Sequence, residues 1–223
     1  MRIAVCMIMV PKPEEVFVHR RTGELRAIPT IANPADENAL ELALTFKDSG
    51  GAEVVAISLG KESAEIILRK ALASGCDHAY HLFDSTFANS DSFAIARIIG
   101  AALKKIEPDL VICGSEALNG GQTGPRIAEE LNITQIIEVN EVLHEQRKVK
   151  RVREGKEEML DLQTPALFTV RLGVNTPRTP KAVQIMKAHK KGVLTKWGLG
   201  DLGLDASLVG EEGSSTYVVE MFE

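Results

Sequence analysis

The chain has 223 residues, which is enough for one large domain or for one domain with an appendage. Hydrophobic residues make up 44% and charged residues 26%, the usage of an ordinary globular protein, so a disordered chain is excluded. The net charge is −5 and only 4% of the residues are aromatic. A basic surface with base-stacking platforms is therefore not expected, and we predict no nucleic-acid partner.

The cysteines and the apolar runs bear on the cellular compartment. Cys6, Cys76 and Cys113 are odd in number and far apart, which is typical of small core residues in a reducing compartment. No uncharged apolar stretch approaches the roughly 20 residues that cross a bilayer. These features predict a cytoplasmic protein without membrane insertion.

The first 135 residues alternate between strand-like and helix-like segments. Apolar runs of strand length are found at residues 3–10, 53–58, 78–83 and 109–113. Helical spacing of apolar residues follows at 33–49, 61–74, 91–106 and from about Pro125 to Leu131. The first of these helices begins with Asn33 at the N-cap and Pro34 at the first helical position. This alternation predicts an α/β fold with a doubly wound, mostly parallel sheet.

The pattern changes after residue 140. Residues 148–153 alternate with period two and a glycine turn follows, so residues 148–162 are predicted to form a β-hairpin with a solvated basic face. A buried strand is expected at 165–170, and residues 175–191 should form an exposed loop that leads into a short helix. From Gly192 the chain has no long periodic element, so it either wraps its own domain or reaches a partner. We predict an α/β domain at 1–191 and an extended C-terminal arm at 192–223.

In an open parallel sheet, a ligand is expected at the carboxyl ends of the strands. The most informative segment there is the glycine loop, residues 119–124, between the strand at 109–113 and the helix near Pro125. Its glycines allow close backbone approach, and the free N–H groups of a helix start can hold a phosphate. A merely flexible loop has the same composition, however, and the sequence contains neither a Walker A motif nor GxGxxG. The residues alone thus indicate a nucleotide-type binder without an evident active site.

Several motifs, in one order, resemble a known family. NPADENALE at 33–41 resembles the segment "NPxDxxALE", and LRKALASGCD at 68–77 resembles "LRxALAMGAD". Residues 122–131 resemble a helix start that holds a nucleotide, and NTPR at 175–178 with IMKA at 185–188 is similar to "NxPRY…IMKAKKK". Over almost its whole length the chain resembles the β subunit of electron-transfer flavoprotein.

The resemblance implies an electron carrier subunit rather than a substrate-converting enzyme. It implies a heterodimer with an α subunit that carries a redox-active FAD, and an adenine nucleotide, AMP or a second FAD, in this chain. The implied nucleotide-binding residues are Cys6, Asn33, Pro34, Ala35, Asp36, Leu59, Asn119, Gly120, Gly121, Gln122, Thr123, Gly124, Pro125, Arg126, Ile127 and Ala128. We expect Thr123 and the N–H groups of Gly124, Arg126 and Ile127 to hold the phosphate, with residues 33–36 along the adenosine.

The resemblance also implies a docking loop at 174–191 for a partner dehydrogenase. Its basic residues are Arg178, Lys181, Lys187, Lys190 and Lys191. Thr179 and Ala182 stand where the family has a tyrosine and an anchoring leucine, so we expect docking to rely on charge. Two further departures are Ile8 and Lys12 in place of a lysine and an aspartate at the end of the first strand, and a shorter glycine loop.

The alternative interpretation is a stand-alone adenine-nucleotide-binding sensor of the universal-stress type. Its glycine spacing is not met, because Thr134 stands where the third glycine should be. An enzyme of the ATP-pyrophosphatase type is favoured even less than this sensor, since no SGGxDS loop follows the first strand.

Overall fold

A nine-stranded sheet with helices on both faces forms the centre of the molecule. The computed structural model describes residues 1–12, 30–117, 121–143, 145–190 and 193–217, together with the backbone of two short strands at 16–18 and 25–27. The strands described are β1 (Arg2–Cys6), β2 (Met9–Pro11), β3 (Val16–Val18), β4 (Leu25–Ala27), β5 (Thr30–Ala32), β6 (Glu53–Leu59), β7 (His78–Leu82), β8 (Leu110–Gly114), β9 (Thr134–Leu143), β10 (Lys148–Arg153), β11 (Lys156–Asp161), β12 (Ala166–Val170) and β13 (Leu194–Trp197). The helices described are α1 (Pro34–Gly50), α2 (Ala64–Ser74), α3 (Ser92–Ile106), α4 (Thr123–Leu131), α5 (Ala182–Ala188) and α6 (Leu199–Leu202).

The strand order of the large sheet is β11-β10-β9-β12-β8-β1-β6-β7-β13. All its pairings are parallel except those of β10, which is antiparallel to both β9 and β11. From β1 the chain adds β6 and β7 on one side, and then returns to add β8 on the other. The order therefore reverses between β1 and β8, the place where open α/β sheets bind their ligands.

Two hydrophobic layers cover the faces of this sheet. One contains Leu40 and Leu44 of α1 with Ile67 and Leu68 of α2. The other contains apolar side chains of α3, α4 and α6. Central strands such as β1 are buried on both faces, which explains why they appear in the sequence as continuous apolar runs. The predicted doubly wound α/β fold is confirmed.

The hairpin of β10 and β11 is found where the sequence predicts it, at the edge of the large sheet. The predicted first strand, 3–10, is wrong as one element. β1 ends at Cys6 because the Ile8 N–H is taken by the Asp36 carboxylate at 2.9 Å, and Met9–Pro11 pairs with β5 in a separate small sheet.

The chain from residue 193 packs on its own domain as far as it is described. β13 pairs with β7, and Leu202 and Val209 are buried in the layer that α3 and α4 form. Ser214 and Thr216 bond to Asp91, the N-cap of α3. Contact between this C-terminal arm and a partner stays a prediction. None of the helices described is long and apolar enough to cross a bilayer.

Candidate functional site

A crevice of about 220 Å³ opens at the carboxyl ends of β1, β6 and β8, beside the point where the strand order reverses. Its walls come from five places in the sequence: the end of β1, the start of α1, the turn after β6, the segment from 87 to 99, and the segment from β8 into α4. The lining residues are Cys6, Met7, Ile8, Asn33, Asp36, Leu59, Gly60, Phe87, Asn89, Ser90, Ile95, Ile99, Cys113, Gly114, Ala117, Gly121, Thr123, Gly124 and Ile127.

The carboxylate of Asp36 joins three of these walls. Its Oδ2 accepts the N–H of Ile8 and its Oδ1 accepts the N–H of Gly114, both at 2.9 Å. Burial raises the pKa of Asp36 to about 7, although the hydrogen bonds from Ile8, Gly114 and Asn33 act in the opposite direction. The end of β1, the end of β8 and the start of α1 are thus held at fixed positions around one carboxyl group.

Asn33 is the N-cap residue of α1, as predicted, but its side chain does not cap the helix. Its Nδ2 donates instead to the carbonyl of Glu116 at 2.8 Å, and its backbone N–H donates to Ile8. The amide therefore ties the segment after β8 to the start of α1. This link is invisible in the sequence because Asn33 and Glu116 are 83 positions apart.

Gly114 marks the closest approach of two walls. A Cβ at this position would lie 2.6 Å from Asp36 Oδ1 and 2.7 Å from the Cβ of Ala35. Gly124 is also confined, because a Cβ there would lie 2.9 Å from Thr169 Cγ2 and 3.1 Å from Cys113 Sγ. Both positions require glycine for space and not for a left-handed backbone.

The start of α4 brings backbone N–H groups to the crevice. α4 begins at Thr123, with Gln122 as N-cap. The N–H of Arg126, which the sequence prediction assigned to the phosphate, donates to the Gln122 carbonyl at 3.2 Å. That part of the prediction is corrected: the donors that a helix leaves without an intrahelical partner belong to its first turn, here Thr123 and Gly124. The Arg126 guanidinium lies 5.8 Å from the centre of the Phe93 ring.

Two thiols lie side by side in the wall between β1 and β8. Cys6 and Cys113 are free and buried on the neighbouring strands β1 and β8. The Cys6 thiol, burial and the nearby Asp36 hold the pKa of Cys113 well above its ordinary value. These are features of an unreactive structural thiol.

The structure brings half of the predicted nucleotide-binding residues together in the crevice. Those that line it are Cys6, Asn33, Asp36, Leu59, Gly121, Thr123, Gly124 and Ile127. Pro34, Ala35, Gln122, Pro125, Arg126 and Ala128 are their chain neighbours and do not line it. Asn119 and Gly120 lie outside the described residues.

One wall of the crevice was missed by sequence reasoning. Phe87, Asn89 and Ser90 follow β7, and Ile95 and Ile99 lie one turn apart on α3. The sequence does predict the strand at 78–83, and the loop after a parallel strand lies at the same edge of the sheet as the other strand ends. The position of residues 87–90 after this strand is therefore the signal that could have placed them in the crevice. Across the described residues, no group of three or more His, Cys, Asp or Glu side chains is placed to hold a metal ion.

Comparison with known proteins shows the family of the chain. Residues 25–197 match the electron transfer flavoprotein domain. The chain belongs to the electron transfer flavoprotein family. It is 39% identical to the electron transfer flavoprotein subunit beta of Thermoanaerobacterium thermosaccharolyticum, over 98% of this chain and 86% of that protein. It is 36% identical to the caffeyl-CoA reductase-Etf complex subunit CarD of Acetobacterium woodii, over 100% and 87%. It is 35% identical to the protein FixA of Azorhizobium caulinodans, over 100% and 84%.

A member of the electron transfer flavoprotein family has a role in electron transfer. The family resemblance that the motifs indicate is confirmed. Two of the relatives bear the name electron transfer flavoprotein subunit beta, and the chain is accordingly an electron carrier subunit. The sensor of the universal-stress type is not favoured, because the family match spans most of the chain.

Proposed function

We propose that this chain holds an adenine nucleotide, AMP or a second FAD, and pairs with an α subunit whose FAD carries electrons between a dehydrogenase and a downstream acceptor. The observation that carries the proposal is the crevice at the reversal point of the sheet, with the first turn of α4 opening onto it. A cytoplasmic location stays the prediction from cysteine usage.

Within the crevice, the phosphate is assigned to the first turn of α4. The hydroxyl of Thr123 and the N–H groups of Thr123 and Gly124 can donate to phosphate oxygens. The sequence prediction sets the adenosine along residues 33–36, of which Asn33 and Asp36 line the crevice, and the apolar walls of Leu59, Ile95 and Ile99 are assigned to its base. In this arrangement the protein binds and orients the nucleotide, while redox chemistry belongs to the flavin of the α subunit.

The first experiment is co-expression with the flavoprotein α subunit, followed by acid release and chromatography of the bound nucleotides. A yellow one-to-one complex that releases AMP, or more than one FAD per heterodimer, supports the proposal. Separately eluting proteins would exclude the pairing, and a complex that releases neither AMP nor this extra FAD would exclude the nucleotide site.

A pair of matched variants tests the place of the phosphate. Thr123→Val removes the hydroxyl at nearly constant volume and should weaken nucleotide binding about 10- to 150-fold, the effect of losing one hydrogen bond to a charged group, and so lower nucleotide content. Thr134→Val makes the same change at an exposed position at the start of β9, the opposite end of the sheet from the crevice. Equal nucleotide content in the two variants would contradict the assignment.

We further propose that a partner dehydrogenase docks on the loop at 174–190 and on α5. Two features of this region support docking. Val183 is 63% and Met186 is 74% exposed, so α5 offers apolar area in addition to its lysines. Lys181 and Lys187 stand at its two ends. Arg178, by contrast, is paired with Glu41 and Asp48, and Lys191 lies outside the described residues.

Charge reversal tests this docking surface. A Lys181→Glu/Lys187→Glu variant should slow electron transfer from the dehydrogenase, most strongly at low salt, because exposed charges steer association. A Lys148→Glu/Lys156→Glu variant of the hairpin changes the net charge equally and serves as the control. Transfer rates that respond equally to both variants would show that the loop has no specific part in docking.

A further inference from the structure

A buried histidine stands behind one wall of the crevice. His81 of β7 has no exposed surface, and its Nε2 lies 3.0 Å from the carbonyl oxygen of Gly60. Gly60 and Leu59 form the part of the crevice wall that follows β6. The N–H of Gly60 donates to the carbonyl of Leu82 at 3.3 Å. β7 therefore holds this turn through both the N–H and the carbonyl of Gly60.

The hydrogen bond to the Gly60 carbonyl fixes the tautomer of His81. Its Nδ1 is buried and has no hydrogen-bond partner among the residues that the structure describes. A carbonyl oxygen only accepts, so the nitrogen that faces Gly60 must carry the proton, and Nδ1 keeps its lone pair. The Nε2–H of the imidazole is thus a donor aimed at the Gly60 carbonyl.

The surroundings of His81 restrict the ring further. The Phe83 ring packs against it, with 5.5 Å between the ring centres. Ser58 is its in-register neighbour on β6, and the Ser58 hydroxyl is likewise buried without a partner among the described residues. The hydrogen bond to Gly60 is therefore the directional contact that links His81 to the crevice.

We propose that His81 is a positioning residue of the nucleotide crevice, which in its Nε2–H form fixes the Gly60 carbonyl and so holds the wall of Leu59 and Gly60 against the bound adenine nucleotide. The proposal rests on the proposed function, because it concerns the nucleotide assigned to the same crevice. His81 does not line the crevice and acts through Gly60.

Two substitutions of similar length separate this role from simple core packing. His81→Gln keeps an N–H donor near the position of Nε2, whereas His81→Met fills similar space without a donor. Ser58→Ala removes the neighbouring hydroxyl and is the control. The dissociation constants of AMP and of FAD are measured by calorimetry on the full chain, freed of nucleotide and paired with its α subunit. The melting temperature of each variant is recorded beside them.

We expect His81→Met to weaken nucleotide binding about tenfold, the effect of one buried hydrogen bond, and His81→Gln to restore most of it. Ser58→Ala should bind as the wild type does. Wild-type affinity in His81→Met, or equal losses in the Met and Gln variants, would overturn the positioning role alone. A wild-type complex that binds no AMP, and no FAD beyond the one of the α subunit, would overturn the proposed function, and this inference with it.

The nitrogen resonances of His81 in the wild type give a second measurement, which does not depend on how well the Met variant folds. The signals should show the proton on Nε2, and the Nε2 signal should shift when AMP or FAD is added. A proton on Nδ1, or signals that do not move while either nucleotide binds, would contradict the proposal.

Discussion

Asp36→Asn tests whether a buried carboxyl group joins the walls of the crevice. The wild-type pKa of about 7 lies above the ordinary value of 3.8 because the group is buried. Between these two values the folded protein binds more protons than the unfolded chain, so unfolding releases a proton. The stability that the neutral carboxyl contributes is therefore complete below about pH 4 and is lost as the pH rises to about 7.

The size of the effect follows from the difference in pKa. A difference of this size corresponds to about 4 kcal/mol over the whole window, and to about 3 kcal/mol between pH 5 and pH 8. Solvent hardly screens this carboxyl group, since Asp36 is only 3% exposed. Asparagine does not titrate, but its NH₂ group would face one of the two backbone donors, at a cost of about 1–3 kcal/mol. The wild type should thus be the more stable protein at pH 5 and lose that advantage by pH 8.

Urea unfolding at pH 5, 6, 7 and 8 measures this difference. The single tryptophan, Trp197, reports on unfolding because its ring packs on Tyr80 with 4.3 Å between the ring centres. All other titrating groups are shared by the two proteins and cancel in the comparison. Asp161→Asn, at an exposed position at the end of β11, is the matched control. Parallel stability curves for wild type and Asp36→Asn would refute the reasoning.

Three further predictions follow from single contacts. Gly114→Ala should lower the free energy of unfolding by about 1–3 kcal/mol, because its Cβ would overlap Asp36 and Ala35, whereas Gly50→Ala meets no atom within 4 Å and should be neutral; equal urea midpoints would contradict this. Asp91→Ala should speed amide exchange at 215–216, because Asp91 Oδ2 accepts the N–H groups of Ser215 and Thr216; unchanged exchange would disprove that anchor. Arg178→Met removes the side-chain contacts with Glu41 and Asp48, so a lysine-specific protease should cleave faster after Lys181 and Lys187. Arg153→Met, at an exposed position in the hairpin, is the control and should not change these cleavage rates. Equal rates in the two variants would count against this prediction.

The interior of the sheet could be predicted from the sequence because its strands are buried on both faces. β9 was missed for a local reason. At Glu138 the backbone adopts a positive φ of 60° and its N–H donates to Thr169 Oγ1, so the pairing with β12 is interrupted. The alternation of apolar and polar residues is broken there, and a search for period two fails.

β13 was missed for a different reason. Its four residues, Leu194–Trp197, are half-buried or exposed and have no periodic signal, so only the pairing with β7 defines them as a strand. The same limit applies to the crevice. Asp36, Asn33 and the glycine loop were identified from local patterns, but the contacts of Asp36 with Ile8 and Gly114 join residues 28 and 78 positions away. Such contacts depend on topology, which local spacing does not contain.

A single helix fixes both regions to which we assign a function. In its first turn, α1 holds the crevice through Asp36. In the second turn, Asn38 exchanges hydrogen bonds with Asn175 and Glu41 pairs with Arg178. The separation of crevice and docking loop is therefore set by the rigid backbone of α1. Releasing the loop with Arg178→Met breaks contacts of Glu41 and Asp48 and leaves those of Asp36 intact. We accordingly expect this variant to retain its nucleotide while its loop becomes open to proteolysis, and loss of both together would show that α1 moves as the loop is released.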